Sequence, residues 1–333
     1  MPGTPLYPQT DENQALAKRI FLKNLDDCIK FPKYFEIETV NACNARCVMC
    51  SVKEWTKRKD PIMRMDLFHK FVEEIKEYSG WVETVCLNRD GEPLLDKEVP
   101  KRIALLKEIG IRKVTLSTNG QLLTSETATR LIEADLDDIM VSIDGITKET
   151  FEKIRHGLNY DTVLENTLGL IRLRNSINPG MIIRIRMVVM PENMHEIEPW
   201  MKHWSKQIGK NDRIYAKPLH TWGNQVNTVD ANPDADDSAD PCVSPFSSMV
   251  IHVDGTVPMC GIDFRNKYLM GNLEKESIRE IWSGEGFSGI RMLHAQRKKN
   301  TIPFCYRCPI WETEKIIDPG NISGDCELSA DGK

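Results

Sequence analysis

The sequence predicts an α/β protein, a partial (β/α)6 barrel followed by a small cysteine-bearing C-terminal domain. Strand-like and helix-like runs alternate six times between residues 34 and 219, the pattern of parallel strands joined by right-handed crossovers. Six units fall short of the number that closes a full barrel, so one side is expected to stand open. The order breaks at an acidic stretch, 224–241, beyond which five of the ten cysteines are gathered.

An N-terminal extension, 1–33, carries helical spacing over residues 12–30 (Leu16, Ile20, Leu25, Ile29). The barrel, 34–223, opens with YFEIETV (34–40), which alternates with period two as a strand does. Further strands are expected at 83–89, 113–118, 138–143, 182–190 and 212–219, with helices near 66–78, 98–109, 125–134, 161–175 and 194–208 between them. The linker 224–241 is nearly free of large apolar residues and reads as a connecting loop or lid. In the C-terminal domain, 242–333, residues 247–260 suggest a hairpin turning at Asp254-Gly255, with helices near 276–282 and 285–296 after it.

A chain of 333 residues can bury a sizeable core without disulfide staples. A net charge of −5 and a pI near 5.9 argue against a nucleic-acid partner, which calls for a basic stripe. No run of about 18 apolar residues is present to span a membrane, and the first residues show no basic-then-apolar leader. A cytoplasmic protein is expected. In that reducing setting, clustered thiols serve metals or catalysis rather than disulfides.

The segment TVNACNARCVMC (39–50) places Cys43, Cys47 and Cys50 as C-x3-C-x2-C directly after the first strand. Active sites of such barrels are built at that end. A structural zinc site takes four closed ligands, and a four-iron cluster takes one thiolate per iron. Three thiolates therefore leave one iron open for a substrate or cofactor. The spacing, with DGEP (90–93), STNG (117–120) and SIDG (142–145) closing the next three strands, resembles the radical S-adenosylmethionine (SAM) superfamily over roughly residues 34–220.

That resemblance implies a [4Fe–4S] cluster on Cys43, Cys47 and Cys50, with SAM as cofactor. It puts Met49 against the adenine, and Gly91 and Glu92 at the methionine amino group. Asp90 departs from the glycine that begins the family's GGEP turn. Ser117 and Asn119 fall where the SAM carboxylate or ribose is met, and Ser142 and Asp144 at a ribose contact. Residue chemistry alone also allows Glu92 as a solvent-facing turn carboxylate, Asn119-Gly120 as a tight turn, and Ser142 and Asp144 as helix caps. Glu36 and Glu38 share one strand face, Glu38 serving either a substrate or a buried ion pair. Arg184 and Arg186 also share a face; if it lines the barrel, they would bind an anionic group or the SAM carboxylate. Arg155 is expected to tie a helix to a loop, and Cys28 and Cys86 to be structural.

Cys242, Cys260, Cys305 and Cys308 resemble the SPASM extension of that superfamily in its shortened twitch form, with 17 residues between the first two and 44 before the C-x2-C pair. The resemblance implies one auxiliary [4Fe–4S] cluster with all irons ligated, suited to moving an electron; four thiolates also suit zinc. Cys326 is left as a tail thiol, an extra ligand or a hydrogen donor. The arrangement looks most like aminocyclitol and sugar enzymes. The implied chemistry is reductive SAM cleavage to a 5′-deoxyadenosyl radical, hydrogen abstraction from a carbinol carbon, and oxidation to a ketone with the auxiliary cluster accepting an electron. An epimerase using a cysteine hydrogen donor is the alternative. A maturase of a ribosomal peptide usually carries a recognition domain ahead of the barrel, for which residues 1–33 are too few. In KPLHTWGN (217–224), Lys217, His220 and Trp222 are candidates for substrate recognition and proton acceptance; His220 and Trp222 alternatively pack the two domains together. The expected partners are a small polyol, aminocyclitol or sugar and an electron donor such as flavodoxin or ferredoxin, with neither nucleic acid nor membrane.

Overall fold

The computed structural model describes residues 4–51, 60–219, 239–306 and 308. Its strands are β1 (Tyr34–Ile37), β2 (Thr84–Cys86), β3 (Lys113–Thr118), β4 (Asp138–Ser142), β5 (Ile182–Val189), β6 (Arg213–Pro218), β7 (Ser248–Ile251), β8 (Thr256–Pro258) and β9 (Leu269–Asn272). The first seven form one parallel sheet in the order β6-β5-β4-β3-β2-β1-β7. This is the open partial barrel expected, with one strand more.

The extra strand corrects the expected hairpin over 247–260. Residues 248–251 pair in parallel with β1, while β8 pairs antiparallel with β9. Met249, Val250 and Ile251 are all buried. A continuous apolar run suits a parallel strand covered on both faces, whereas a hairpin arm would alternate. Gly255, at φ +78°, still makes the tight turn that sequence placed there.

The helices are α1 (Asp11–Arg19), α2 (Met65–Lys76), α3 (Val99–Glu108), α4 (Ser125–Glu133), α5 (Lys148–Ile154), α6 (Tyr160–Ile177), α7 (Ile197–Trp204), α8 (Ser244–Ser247), α9 (Ile278–Ser283) and α10 (Glu285–Ala295). Side-chain caps explain several starts: Thr124 for α4, Thr147 for α5, Asn159 for α6 and Ser277 for α9 each accept from a backbone N–H of the first turn. The helix expected over 12–30 is broken. Its chain turns at Phe21 (φ 56°) and resumes as a short 3-10 turn, Leu25–Ile29, capped by Asn24.

Fully buried strand residues Val85, Val114, Leu116, Ile139, Val141, Ile183 and Ile185 form the core with the crossover helices. At the N-terminal edge of the sheet, Arg174 of α6 makes two parallel bonds to Asp212, at 2.7 and 2.6 Å. The N-terminal extension does not pack on the barrel helices alone. Leu16, Ala17, Ile20 and Cys28 share a core with Phe246 and Ala295, and Trp282 Nε1 donates to the Cys28 carbonyl at 2.8 Å. Cys28 is structural, as expected. Among the described residues, no helix is long and apolar enough to cross a membrane.

Candidate active site

A cavity of about 600 Å³ opens at the C-terminal ends of the strands, and both cysteine groups line it. The first group sits on the loop after β1. That loop is fastened by Arg46 N–H to the His156 carbonyl (2.8 Å) and Val48 N–H to the Ile154 carbonyl (3.0 Å). Asn119 reaches it from the end of β3, donating to Asn44 Oδ1 at 2.7 Å. Burial pushes the Cys43 and Cys47 thiols up, so a metal binding here would displace protons.

The turn after β2 requires its glycine. Gly91 has φ +79°, and a Cβ there would stand 2.2 Å from the Val40 carbonyl oxygen. The next amide, Glu92 N–H, donates to the Ala42 carbonyl at 2.8 Å, joining this turn to the cysteine loop. Glu92 is buried, which excludes the solvent-facing alternative. Its Oε1 accepts from Thr118 Oγ1 (2.7 Å) and Leu94 N–H (3.1 Å), and its Oε2 from Asn119 N–H (2.8 Å). Burial raises its pKa while those donors oppose the rise.

Met49, Ser117, Asn119, Ser142 and Arg186 also line the cavity. Ser142 Oγ accepts from Arg186 at 3.2 Å. Asp144 departs from expectation, both as a ribose contact and as a cap. It is fully buried; Oδ2 pairs with Arg155 at 2.7 and 2.6 Å, and Oδ1 accepts from Val188 N–H at 2.7 Å. Thr147, not Ser142 or Asp144, caps α5. Asp144 thus holds Arg155, whose guanidinium stands 3.9 Å from Cys47 Sγ. The sequence marked Arg155 as a tie between a helix and a loop, and that tie ends at the cysteine loop. Arg184 points away from the expected anion-binding role: it pairs with Asp138 at 2.6 Å.

Cys86 corrects another expectation. It lines the cavity, with Sγ 3.2 Å from Asn88 Oδ1. The missed signal was its alternation with Val85, which already faced the core. Lys217 lies at the cavity wall on the end of β6. Burial, then the nearby charges of Arg186 and Arg89, pull its pKa down to about 8. His220, Trp222 and Cys326 lie outside the described residues.

Cys242, Cys260, Cys305 and Cys308 line the same cavity. Burial raises Cys260 well above the usual thiol range, and the Cys242, Cys305 and Cys308 sulfurs add to the rise. His294 is buried, and its Nδ1 accepts from Cys242 N–H at 3.1 Å. The donors fit the groups the sequence implied: three thiols on a loop suit a cluster with an open iron, and four gathered thiols suit a closed one.

The chain belongs to the radical SAM superfamily: residues 37–203 match the family model "Radical SAM superfamily", and residues 242–309 match SPASM, an iron–sulfur cluster-binding domain. Its cofactors are accordingly [4Fe–4S] clusters and SAM. Among curated proteins, it is 24% identical over 339 aligned positions to the tungsten-containing aldehyde ferredoxin oxidoreductase cofactor-modifying protein of Pyrococcus furiosus, covering 88% of this chain and 91% of that one. It is 29% identical over 188 positions to a probable GTP 3′,8-cyclase of Saccharolobus islandicus, covering 56% and 57%. Among solved structures, BtrN in complex with AdoMet and 2-DOIA aligns with a TM-score of 0.59 at 20% identity, covering 84% of this chain and 93% of that one. SuiB of Streptococcus suis bound to its precursor peptide SuiA aligns at 0.64 and 14% identity, covering 78% and 66%.

Proposed function

We propose that this protein is a radical SAM oxidoreductase that converts a carbinol carbon of a small polyol, aminocyclitol or sugar to a ketone. The observation that carries this reading is the single cavity bounded by both cysteine groups, with Glu36, Arg89, Asp90, Arg186 and Lys217 on its wall. A substrate held there lies within reach of both cluster sites. The near full-length likeness to BtrN, whose structure contains 2-DOIA, supports it. When bound, SAM and the cluster on Cys43, Cys47 and Cys50 would supply one-electron chemistry for removing a hydrogen atom, and Cys242, Cys260, Cys305 and Cys308 would hold a closed cluster suited to taking up an electron.

The residues of the chain position and deprotonate. Gly91 and Glu92 would hold the methionine amino group, Ser117 and Asn119 the SAM carboxylate or ribose, Arg186 the carboxylate, Ser142 the ribose and Met49 the adenine face. Lys217 takes the substrate hydroxyl proton. An ammonium with a pKa of about 8 leaves about a tenth of the chains with a free amine at pH 7. A flavodoxin or ferredoxin supplies electrons.

A second reading has its own support. The Pyrococcus furiosus protein, matched over 91% of its length, is a cofactor-modifying protein, and Arg89, Arg186 and Lys217 on one wall suit an anionic cofactor precursor. Anaerobic turnover in deuterated water tests the first reading against an epimerase. A dehydrogenase yields a ketone without deuterium at carbon, and an epimerase installs deuterium at the inverted centre. Formation of 5′-deoxyadenosine with no change in any polyol, aminocyclitol or sugar would overturn the first reading and favour the second.

A further inference from the structure

Three buried titratable side chains are assigned no step in the chemistry above, although Asp90 lies on the cavity wall. Glu38, Asp90 and His252 follow β1, β2 and β7, which are neighbours in the sheet, and are 0%, 5% and 1% exposed. One donor atom from each lies within 4.8 Å of the others. Glu38 Oε1 accepts from Asn41 Nδ2 at 2.5 Å. Glu38 Oε2 accepts from Val253 N–H at 3.1 Å and stands 3.1 Å from His252 Nδ1. An ionised carboxylate cannot donate, so a proton on Nδ1 faces Glu38 and leaves Nε2 as the ring atom turned away from it. That Nε2 has no hydrogen-bond partner among the described residues, and neither does Asp90 Oδ1.

A proton does not resolve this arrangement. Placed on Asp90 Oδ1 or on His252 Nε2, it would meet no acceptor among the described residues and would replace an orphaned acceptor with an orphaned donor. A water could serve the hydrogen bonds but would bring no charge to the two buried carboxylates. Buried charge of that kind is paired or coordinates a metal. Arg89, the adjacent cation, is already 3.2 Å from Glu36. Burial pushes the Asp90 carboxyl up, Arg89 and His252 pull it back, and Glu38 adds to the rise. A divalent ion meets both needs, filling lone pairs and cancelling charge. Carboxylate and imidazole donors suit zinc or manganese, whereas thiolates suit iron–sulfur clusters. A carboxylate bonded to the far nitrogen of a ligating histidine is a recurrent orienting arrangement, and Glu38 provides it. Asp90 lines the main cavity, which gives an ion a way in.

We propose that Asp90 and His252, oriented by Glu38, bind one divalent metal ion of the zinc–manganese class, separate from both cysteine sites. The ion joins the loop of the first cysteines, the SAM turn and the segment leading to Cys260. Co2+ added to the reconstituted full-length protein is the probe, read by cobalt-edge X-ray absorption, which is blind to iron. One equivalent should bind with oxygen and nitrogen neighbours and no sulfur. Asp90→Asn and His252→Asn should abolish uptake, and Glu38→Gln should weaken it roughly 10–100-fold, with iron and sulfide contents unchanged. Failure of the wild-type protein to take up Co2+, sulfur in its coordination shell, or equal affinity in Asp90→Asn and His252→Asn overturns the proposal. Should either variant fail to fold, the wild-type spectrum alone decides.

Discussion

The two cysteine groups offer the same kind of donor, thiol sulfur, and are assembled in opposite ways. The first is local: three thiols on one loop, 43–50, held by backbone bonds to residues 154 and 156. The second is collected from three separated segments, at Cys242, at Cys260 and at Cys305 with Cys308, and depends on the whole C-terminal domain being folded. The local group is incomplete and faces the SAM turn. The collected group is complete. The contrast teaches that the number of thiolates decides what a cluster does, since an open one binds and cleaves while a closed one passes electrons.

The largest effect expected is from Cys43→Ala, which should abolish 5′-deoxyadenosine formation while leaving about four irons of roughly eight, since each cube holds four. Cys260→Ala should leave a similar iron count but retain SAM cleavage, losing only net oxidation of substrate. If its turnover of substrate survives, the electron-acceptor role of the second group is wrong. Arg155→Met strands Asp144 as an unpaired buried charge beside the first group and should destabilise the fold by about 3–5 kcal/mol, measured by denaturant unfolding; Arg155→Lys should recover part of this.

Lys217→Met should slow oxidation by about 100-fold at pH 8 while leaving SAM cleavage in place. In the wild-type enzyme the neutral amine is the active form, so kcat/KM should climb with pH and level off above about 8. Loss of that limb in the variant is the expected outcome, and an unchanged profile would contradict it. The smallest effect is Gly91→Ala, where a positive φ and the Val40 carbonyl oppose a Cβ. Strain of about 1–3 kcal/mol should weaken SAM binding by about fivefold or more, measured by equilibrium binding, with the second cluster unaffected.

What sequence could reveal followed the range of the interactions involved. Cys43, Cys47 and Cys50 are fixed by spacing within one loop and were legible, as were the approximate spans of α4 and α6, whose caps Thr124 and Asn159 act through bonds three residues away. Pairing of β7 with β1 joins residues more than 200 apart in sequence, and no local pattern specifies it. Helix α5 is only seven residues long and merged into the crossover before α6. Asp144 shows the same limit within the site. Its motif marked the right place, but its partner, Arg155, determined what its carboxylate does.

The central claim is that one cluster keeps an open iron for SAM and the other does not. Electron paramagnetic resonance of the reduced protein before and after SAM addition tests it most directly. The account predicts that SAM alters only one cluster signal, the one that persists in Cys260→Ala and is missing in Cys43→Ala. A response to SAM from the signal remaining in Cys43→Ala, or none from either, would contradict it.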